Sequence, residues 1–431
     1  MYLFYNLLLL FSFLVGLPSF FLGKMLFTGK YRKSFRQKFG FIPSSLQEKM
    51  VGSPCIWINA VSVGEVIAVS SLVKALHKMY PQACLIFSTG TETGQEMARK
   101  MVKEATAYIY YPLDLPWIVR RTLDIVNPDL FINTETELWP NFLRLAKKRG
   151  VKIILVNGRI SVRSFSRYRK TAFFWRKVLD NLDVMSMISE IDAERIRAIG
   201  AKPERVFVNG NSKYDALAGR TEPRFEEELR KILKINEEEK VFIAASTHRG
   251  EEEIVLQAYK RFLEKFPGLL LIIIPRHIER VGEVEEIVKK EGVGPCIRRS
   301  RIEGSKQSRT ESIIILDSIG ELFKVYSLGT LVFCGGSFVP RGGQNIMEPA
   351  AWGKVVFYGP SMEDFLDAKE LLERAGAGIP VESVETLIEK GLALLSQPRE
   401  LKKRGEAGRK VVMSSGGAGQ RNAELVRGLL K

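Results

Sequence analysis

Several segments of this sequence place acids or bases directly after a short apolar run. CIWINA leads into VSVGE, which ends at Glu65; CLIFSTG leads into TETG; DLFIN leads into TETELWP, with Glu135 and Glu137 two apart. KIILVNG is followed by RISVRS, with Arg159 and Arg163, and VFVNG by NSKYD, with Lys213. A carboxylate flanked by Arg and Lys suits an acid/base role, or a clamp on an anionic substrate. Farther along, LLLIIIPRH puts Pro275, Arg276 and His277 after another apolar run, and IIILDSIGEL puts Ile319, Gly320 and Glu321 at a strand-to-helix turn. Exposed backbone N–H groups at such a turn can meet phosphate. LVFCGGSFVPRGGQNIMEPAAWG is the densest stretch: two glycine pairs, then Asn345, Ile346, Met347 and Glu348. Glycine lets a loop approach a ligand closely. A carboxylate one turn into a helix opened by Asn345 can take two ribose hydroxyl hydrogen bonds.

Each of these residues also has a plainer reading. Glu65 fits a helix N-terminal acid favoured by the helix dipole. Glu135 and Glu137 fit a solvated acid pair at a helix start, or a divalent-ion site against a diphosphate, although no second acid cluster accompanies them. Lys213 fits a surface lysine, and His248 and His277 fit core or surface histidines. Missing motifs narrow the field: there is no GxxxxGK[ST], no GxGxxG after the first apolar run, no HExxH and no GxSxG,. This argues against a P-loop NTPase, a common dehydrogenase, a zincin or an α/β-hydrolase.

The elements that must carry these residues alternate. In the first half the strand candidates are CIWINA, CLIFSTG, TAYIYYPL, DLFINTE, KIILVNG, DVMSMIS and VFVNGN, with helices between them such as 66–79, 94–103, 141–149 and 190–198. The pattern restarts with KVFIAAST, LLLIIIPR, SIIILDS, TLVFCGGS and VVFYG. Such alternation means βαβ units and parallel sheets. The stretch DALAGRTEPRF at 215–225 has turn residues and no apolar period, so it reads as an interdomain linker,. The expected class is α/β, with two doubly wound Rossmann-like domains whose strand ends face a common cleft. The expected segments are a membrane anchor at 1–23, one domain at 24–215, a second at 226–405, and a C-terminal helix at 406–431 that packs back on the first.

Composition bounds the partners. The 431 residues carry 65 Lys and Arg against 49 Asp and Glu, a net charge of +16. That points to an anionic partner: nucleic acid, an anionic membrane surface or a phosphorylated substrate. Nucleic acid rests on charge alone, with no RNA-binding or zinc-finger signature beside it. Four cysteines without a CxxC pair read as reduced core thiols, and three histidines make a His-rich metal site a poor fit,. Residues 1–23, MYLFYNLLLLFSFLVGLPSFFLG, contain no charge and are long enough to cross a bilayer, although Asn6, Gly16 and Pro18 also fit a buried or in-plane helix,. No basic leader or small-residue cleavage site marks a signal peptide. Lys24, Lys30, Arg32, Lys33, Arg36 and Lys38 follow, which by the positive-inside rule places the rest of the chain in the cytoplasm,.

Taken together, VSVGE, TETG, ETELWP, NGRIS, GNSKYD, STHRGEEE, PRHIER, DSIGEL and GGSFVPRGGQNIMEP occur in the order found in the 3-deoxy-D-manno-oct-2-ulosonic acid (Kdo) transferases of lipopolysaccharide synthesis. The chain resembles that family from about residue 20 to beyond residue 370. The resemblance implies the GT-B glycosyltransferase fold and an inverting, metal-independent transfer of one or more Kdo residues from CMP-Kdo to a lipid A precursor, at the bacterial inner membrane. It implies that Glu65 is the general base and that Glu135 and Lys213 stabilise the transition state. It also implies that Pro275, Arg276, Ile319, Gly320, Glu321, Asn345, Ile346, Met347 and Glu348 bind CMP. Arg159, Arg163, Arg32 and Lys33 are candidate acceptor contacts. Asn59, Gly158, Gln344 and Asp364 depart from the usual family pattern without removing a proposed catalytic group. The alternatives are another membrane-associated GT-B glycosyltransferase using a different sugar nucleotide, and a non-catalytic, membrane-anchored binder of anionic lipid.

Overall fold

The computed structural model describes residues 2–17, 32–303 and 308–431. The chain divides into two compact units, Met1–Asp215 with Gly416–Lys431, and Ala216–Ser415. The chain therefore passes between units beside Asp215 and again at Ser415. Part of the expected linker is helical, at Asp215–Ala218 and again from Arg224 in the helix Arg224–Leu233.

The first unit contains β1 (Cys55–Asn59), β2 (Cys84–Thr89), β3 (Ala107–Tyr110), β4 (Leu130–Thr134), β5 (Lys152–Gly158), β6 (Val184–Met187) and β7 (Val206–Val208). They form one sheet in the order β3-β2-β1-β4-β5-β6-β7, and every pair is parallel. Parallel neighbours need crossovers, so helices cover both faces and the strands read as unbroken apolar runs. Within a run, successive side chains still divide between the two faces. Ile56, Ile58, Leu130, Ile132, Ile154 and Val156 join one core. Trp57, Phe131, Ile153 and Leu155 join the other. The Trp57 ring meets Phe131 and Phe142 edge-on at 5.6 and 5.1 Å, and its indole N–H donates to Ser88 Oγ at 2.8 Å.

The second unit contains β8 (Val241–Thr247), β9 (Leu270–Pro275), β10 (Cys296–Arg298), β11 (Ile313–Ile315), β12 (Leu331–Cys334), β13 (Val356–Tyr358) and β14 (Gly378–Pro380). Their order is β10-β11-β9-β8-β12-β13-β14, again all parallel. The sequence reading misses β10 and β14. Each has three residues at a sheet edge; β10 is half-buried, and β14 contains the glycine and proline that an edge tolerates,.

The helices anticipated at 66–79, 94–103, 141–149 and 190–198 are Val63–Met79, Glu92–Met101, Pro140–Lys148 and Glu190–Ala198. The first begins early because the Ser62 hydroxyl caps it, accepting from the Glu65 N–H; Thr91 caps the second in the same way,.

Strand order reverses between β1 and β4 in the first sheet and between β8 and β12 in the second. Helices leave to opposite sides there, opening a crevice at the strand carboxyl ends. Glu65 follows β1 and Glu135 follows β4, so the fold sends both to one such crevice.

Among the described residues no helix is long and apolar enough to cross a membrane. The helix Tyr2–Leu17 has 16 residues, about 24 Å of rise against a core of about 30 Å,. The remainder of the uncharged run, residues 18–23, lies outside the described residues. The helix docks on the first unit through polar groups. The Tyr5 hydroxyl donates to Asp114 Oδ2 at 2.9 Å, Asn141 Nδ2 donates to Asn6 Oδ1 at 2.7 Å, and the Arg144 guanidinium lies over the Tyr2 ring. Asn6, which weakens an apolar span, is here a docking contact.

The helix Ala418–Leu429 packs against Val63–Met79, the helix that carries Glu65, and sends Ala423 and Val426 into the core beneath β1. Asp215 accepts hydrogen bonds from the Ala418 and Gly419 N–H groups at 3.0 and 2.7 Å and from Ser71 Oγ at 2.8 Å. It thus acts as a cap supplied from 200 residues away. Asp215→Ala should cost about 1–2 kcal/mol, the usual loss of a helix cap. Amide exchange should accelerate first in residues 418–429; unchanged protection there would refute the tie.

Candidate active site

Glu65 lies in the first turn of its helix and is 5% exposed. Its carboxylate is held from within that turn: the Val61 N–H donates to Oε2 and the Ser62 hydroxyl to Oε1, both at 2.9 Å. Burial is the main influence on its pKa, pushing it up to about 7, and the negative charges of Glu135 and Glu137 push the same way,. The two hydrogen bonds pull it down without cancelling burial. A carboxylate poised near neutrality can both take and keep a proton at physiological pH.

Glu135 sits at the end of β4 with φ of +55°, a left-handed backbone that turns the chain sharply,. Its N–H donates to the Val156 carbonyl at 3.0 Å, and Lys213 Nζ reaches its Oε1 at 2.7 Å. Lys213 is set in turn by the Asn211 side chain, which accepts its N–H, while the Ser212 N–H donates to Asn157 Oδ1 at 2.9 Å. Buried asparagines tie the strand ends together: Asn59 Nδ2 donates to Asn133 Oδ1 at 3.3 Å, and Asn133 Nδ2 to the Glu137 carbonyl at 2.7 Å. Asn59, one of the departures from the family pattern, is thus part of the scaffold beneath the acids. Glu137 receives the Trp139 indole N–H at 3.0 Å, and burial raises its pKa. The Arg159 carbonyl accepts from Thr136 Oγ1. The side chains of Arg32, Lys33 and Arg163 lie outside the described residues.

In the second unit Pro275 closes β9, and Arg276 and His277 are exposed just beyond it. The His277 ring stands edge-on to His248 at 5.7 Å. Burial lowers the His248 pKa, opposed by Glu251 and reinforced by His277, Arg341 and Arg276. His248 therefore lies beside Arg276 and Arg341, in surroundings that disfavour its protonated form. Thr247 Oγ1 and His248 Nε2 are buried without a hydrogen-bond partner. Orphaned polar atoms beside Arg276 and Arg341 are what an anionic ligand would satisfy. The sequence reading names neither Thr247 nor Arg341; both follow apolar or glycine-rich runs, but their convergence is tertiary.

Ile319 is 84% exposed and Gly320 has φ of +90°. The Glu321 carboxylate is already engaged by the Arg299 guanidinium, with two contacts at 3.0 Å. The helix expected from Asn345 starts two residues later, at Met347, whose N–H donates to Asn345 Oδ1 at 3.2 Å. Glu348 therefore sits in the first turn, where Asn345 Nδ2 donates to it at 3.2 Å and burial raises its pKa. Ile346 and Met347 are fully buried, so only their backbones are available to a ligand.

Glu251 organises the glycine-rich loop after β12. Its fully buried carboxylate accepts four backbone N–H groups: His248 at 2.9 Å, Gly336 at 2.7 Å, Ser337 at 3.0 Å and Phe338 at 2.9 Å. Gly335 passes so close that a Cβ there would lie 2.7 Å from the Ser246 carbonyl and 2.8 Å from Glu251 Oε2. The sequence shows Glu251 only as the first acid of an exposed-looking GEEE. The loop that needs it lies more than 80 residues away.

Comparison with known proteins joins these features. Residues 33–216 match the family profile described as 3-deoxy-D-manno-octulosonic-acid transferase (kdotransferase). The 3-deoxy-D-manno-octulosonic acid transferase of Haemophilus influenzae is 34% identical over 403 residues, 93% of this chain and 92% of that one. The chain belongs to the Kdo transferase family. The enzyme of the same name from Aquifex aeolicus is 30% identical over 370 residues, 84% of this chain and 91% of that one. A glycosyltransferase from Rickettsia africae shares the fold, with a TM-score of 0.61 at 14% identity over 88% of this chain and 98% of that one. This Kdo transferase family member is a glycosyltransferase whose two parallel-sheet units are of GT-B type.

Two stability measurements test the geometry. Glu251→Ala orphans four N–H groups, two of them fully buried, and should cost about 2–3 kcal/mol, with exchange protection falling first at 335–338; a loss below about 1 kcal/mol would show the loop holds itself. For Glu65, a pKa raised from 4.5 to about 7 means that folding is opposed by deprotonation. That cost is absent below pH 4.5 and complete above pH 7, with a ceiling of about 3 kcal/mol. Glu65→Gln should therefore raise Tm relative to wild type at pH 8 and lose that advantage at pH 4.5. The same difference at both pH values would refute the buried-acid account.

Proposed function

We propose that this protein transfers Kdo, with inversion and without a metal, from CMP-Kdo to a hydroxyl of a lipid A precursor at the cytoplasmic face of the inner membrane. Glu65 is the general base. The carrying observation is its burial beside Glu135 and Glu137, held by two hydrogen bonds at 2.9 Å, with its pKa pushed up to about 7. Family membership supports the sugar, through relatives named for its transfer.

The reaction divides between the units. In the first, the acceptor hydroxyl oxygen forms its bond to the anomeric carbon of Kdo while its proton passes to Glu65. The bond from that carbon to the phosphate oxygen of CMP breaks, and its electron pair leaves on the phosphate. Attack opposite the leaving group inverts the centre. Lys213, held by Glu135 at 2.7 Å, offers a fixed positive charge to the sugar carboxylate and the developing transition state,. In the second, Arg276 is available to the CMP phosphate, with the Gly320 turn supplying backbone donors and Glu348 and Asn345 available to the ribose,. Arg341 adds a cation beside His248.

A monophosphate leaving group carries less charge than a diphosphate, so arginines can replace a bridging ion. Among the described residues no group of three or more His, Cys, Asp and Glu side chains could hold a metal. The exposed apolar residues Leu3, Leu7 and Phe11, spaced four apart on the N-terminal helix, form one stripe suited to an interfacial membrane contact,. Net charge of +16 favours an anionic leaflet and a phosphorylated acceptor,.

The test is transfer itself, with CMP-Kdo generated in situ, tetra-acylated lipid A precursor, EDTA present, and products read by mass. Wild type should add one or more Kdo units. Glu65→Gln should lose about 10²–10⁴-fold in kcat. The base acts only when deprotonated, so kcat/KM should rise with pH through a midpoint near 7 in wild type and lose that midpoint in the variant. A well-folded wild type that binds CMP yet transfers nothing would move the substrate to another sugar nucleotide. Abolition by EDTA would refute metal independence.

A further inference from the structure

A recess of about 570 Å³ opens in the first unit between the N-terminal helix and the helices Val162–Lys170 and Ala172–Leu179. It is within the size range of ligand sites. Its walls are apolar and aromatic, from Phe4, Leu8, Leu138, Trp139, Phe173 and Trp175, and Thr136 and Glu137 also line it. Thr136 is the residue after Glu135, so the recess runs into the loop that carries the site acids.

Three features limit what could fill it. Its lining is apolar, and the Trp139 and Trp175 indole N–H groups are already satisfied by Glu137 Oε2 at 3.0 Å and Thr171 Oγ1 at 3.1 Å, so a polar guest finds few partners. The two helices that border it are cationic: they carry Arg167, Arg169, Lys170, Arg176 and Lys177 near their ends and no acid. Its position is next to Leu3, Leu7 and Phe11, the outward stripe that suits a bilayer surface. A flat bilayer meets that stripe but does not enter a recess; a single chain drawn from it does.

We propose that this recess holds an acyl chain of the glycolipid acceptor, and so sets which hydroxyl is presented to Glu65. The proposal rests on the transferase reading above for the identity of the acceptor. The apolar walls take the chain, the cationic helices take the anionic headgroup, and Thr136 and Glu137 join both to the catalytic loop. The N-terminal helix then forms one wall of the acceptor site as well as facing the membrane. Tyr5 and Asn6 hold it in place through Asp114 and Asn141.

Two readouts test this, both in mixed micelles without a bilayer and then repeated in vesicles. The first is quenching of tryptophan fluorescence by a lysolipid with a brominated acyl chain, which needs no Kdo chemistry. The second is the ratio of kcat/KM for tetra-acylated over fully deacylated lipid A precursor. Leu8→Lys and Phe173→Lys are the variants; Phe173 is 69% exposed, so the second tolerates a charge without unfolding. Wild type should show saturable quenching, weakened at least about tenfold in both variants, and the acylated-to-deacylated ratio should fall by about tenfold, the worth of roughly two buried methylenes. An unchanged ratio, or quenching indifferent to both substitutions, overturns the proposal. So does a defect confined to vesicle assays, which would assign the surface to the bilayer alone. Transfer without probe binding defeats the recess and leaves the transferase reading standing. Probe binding without transfer to either acceptor defeats the transferase reading and, with it, the acceptor as occupant.

Discussion

A carboxylate buried at the first turn of a helix must be satisfied from close by or abandon its charge. Glu65 is satisfied by its own turn, through the Val61 N–H and the Ser62 hydroxyl, and is still pushed up to about 7. Much of the first unit serves that compromise. The Ser62 cap fixes where the helix starts. The Ala418–Leu429 helix, clasped by Asp215, backs the helix that carries the acid. The Asn59–Asn133 link fixes the strand end that presents Glu135. Glu135 and Glu137 add repulsion that burial alone would not supply.

The second unit solves the opposite problem. There the backbone of a glycine-rich loop must be held in place without a regular element to support it. Glu251 supplies the support by taking four N–H groups on one buried carboxylate. What remains unsatisfied, Thr247 Oγ1 and His248 Nε2, lies beside Arg276 and Arg341. One unit thus concentrates negative charge around Glu65, as the proposed base requires, and the other gathers cations around His248, as the proposed phosphate site requires. A base for the acceptor and an anion site for the donor are the two requirements of transfer from a sugar nucleotide.

The N-terminal helix divides its faces among three tasks. Tyr2, Tyr5 and Asn6 bind the first unit, Leu3, Leu7 and Phe11 face outward, and Phe4 and Leu8 border the recess. An uninterrupted apolar helix could not do all three, which gives the polar residues in that segment a purpose.

The sequence by itself determined the class of fold, because buried parallel strands must read as apolar runs and their crossovers as amphipathic helices. Seven such runs in the first half became β1–β7, and the chemistry-bearing residues fell at their carboxyl ends. Ordered motifs also determined the family. The edge strands β10 and β14 were invisible, since three half-buried or glycine- and proline-containing residues carry no period. Tertiary structure alone decided that Glu251 holds a loop more than 80 residues away, and that Ile346 and Met347 turn into the core. It alone set the Glu65 pKa near 7. Each depends on burial or on a contact between residues distant in the chain, and local spacing encodes neither.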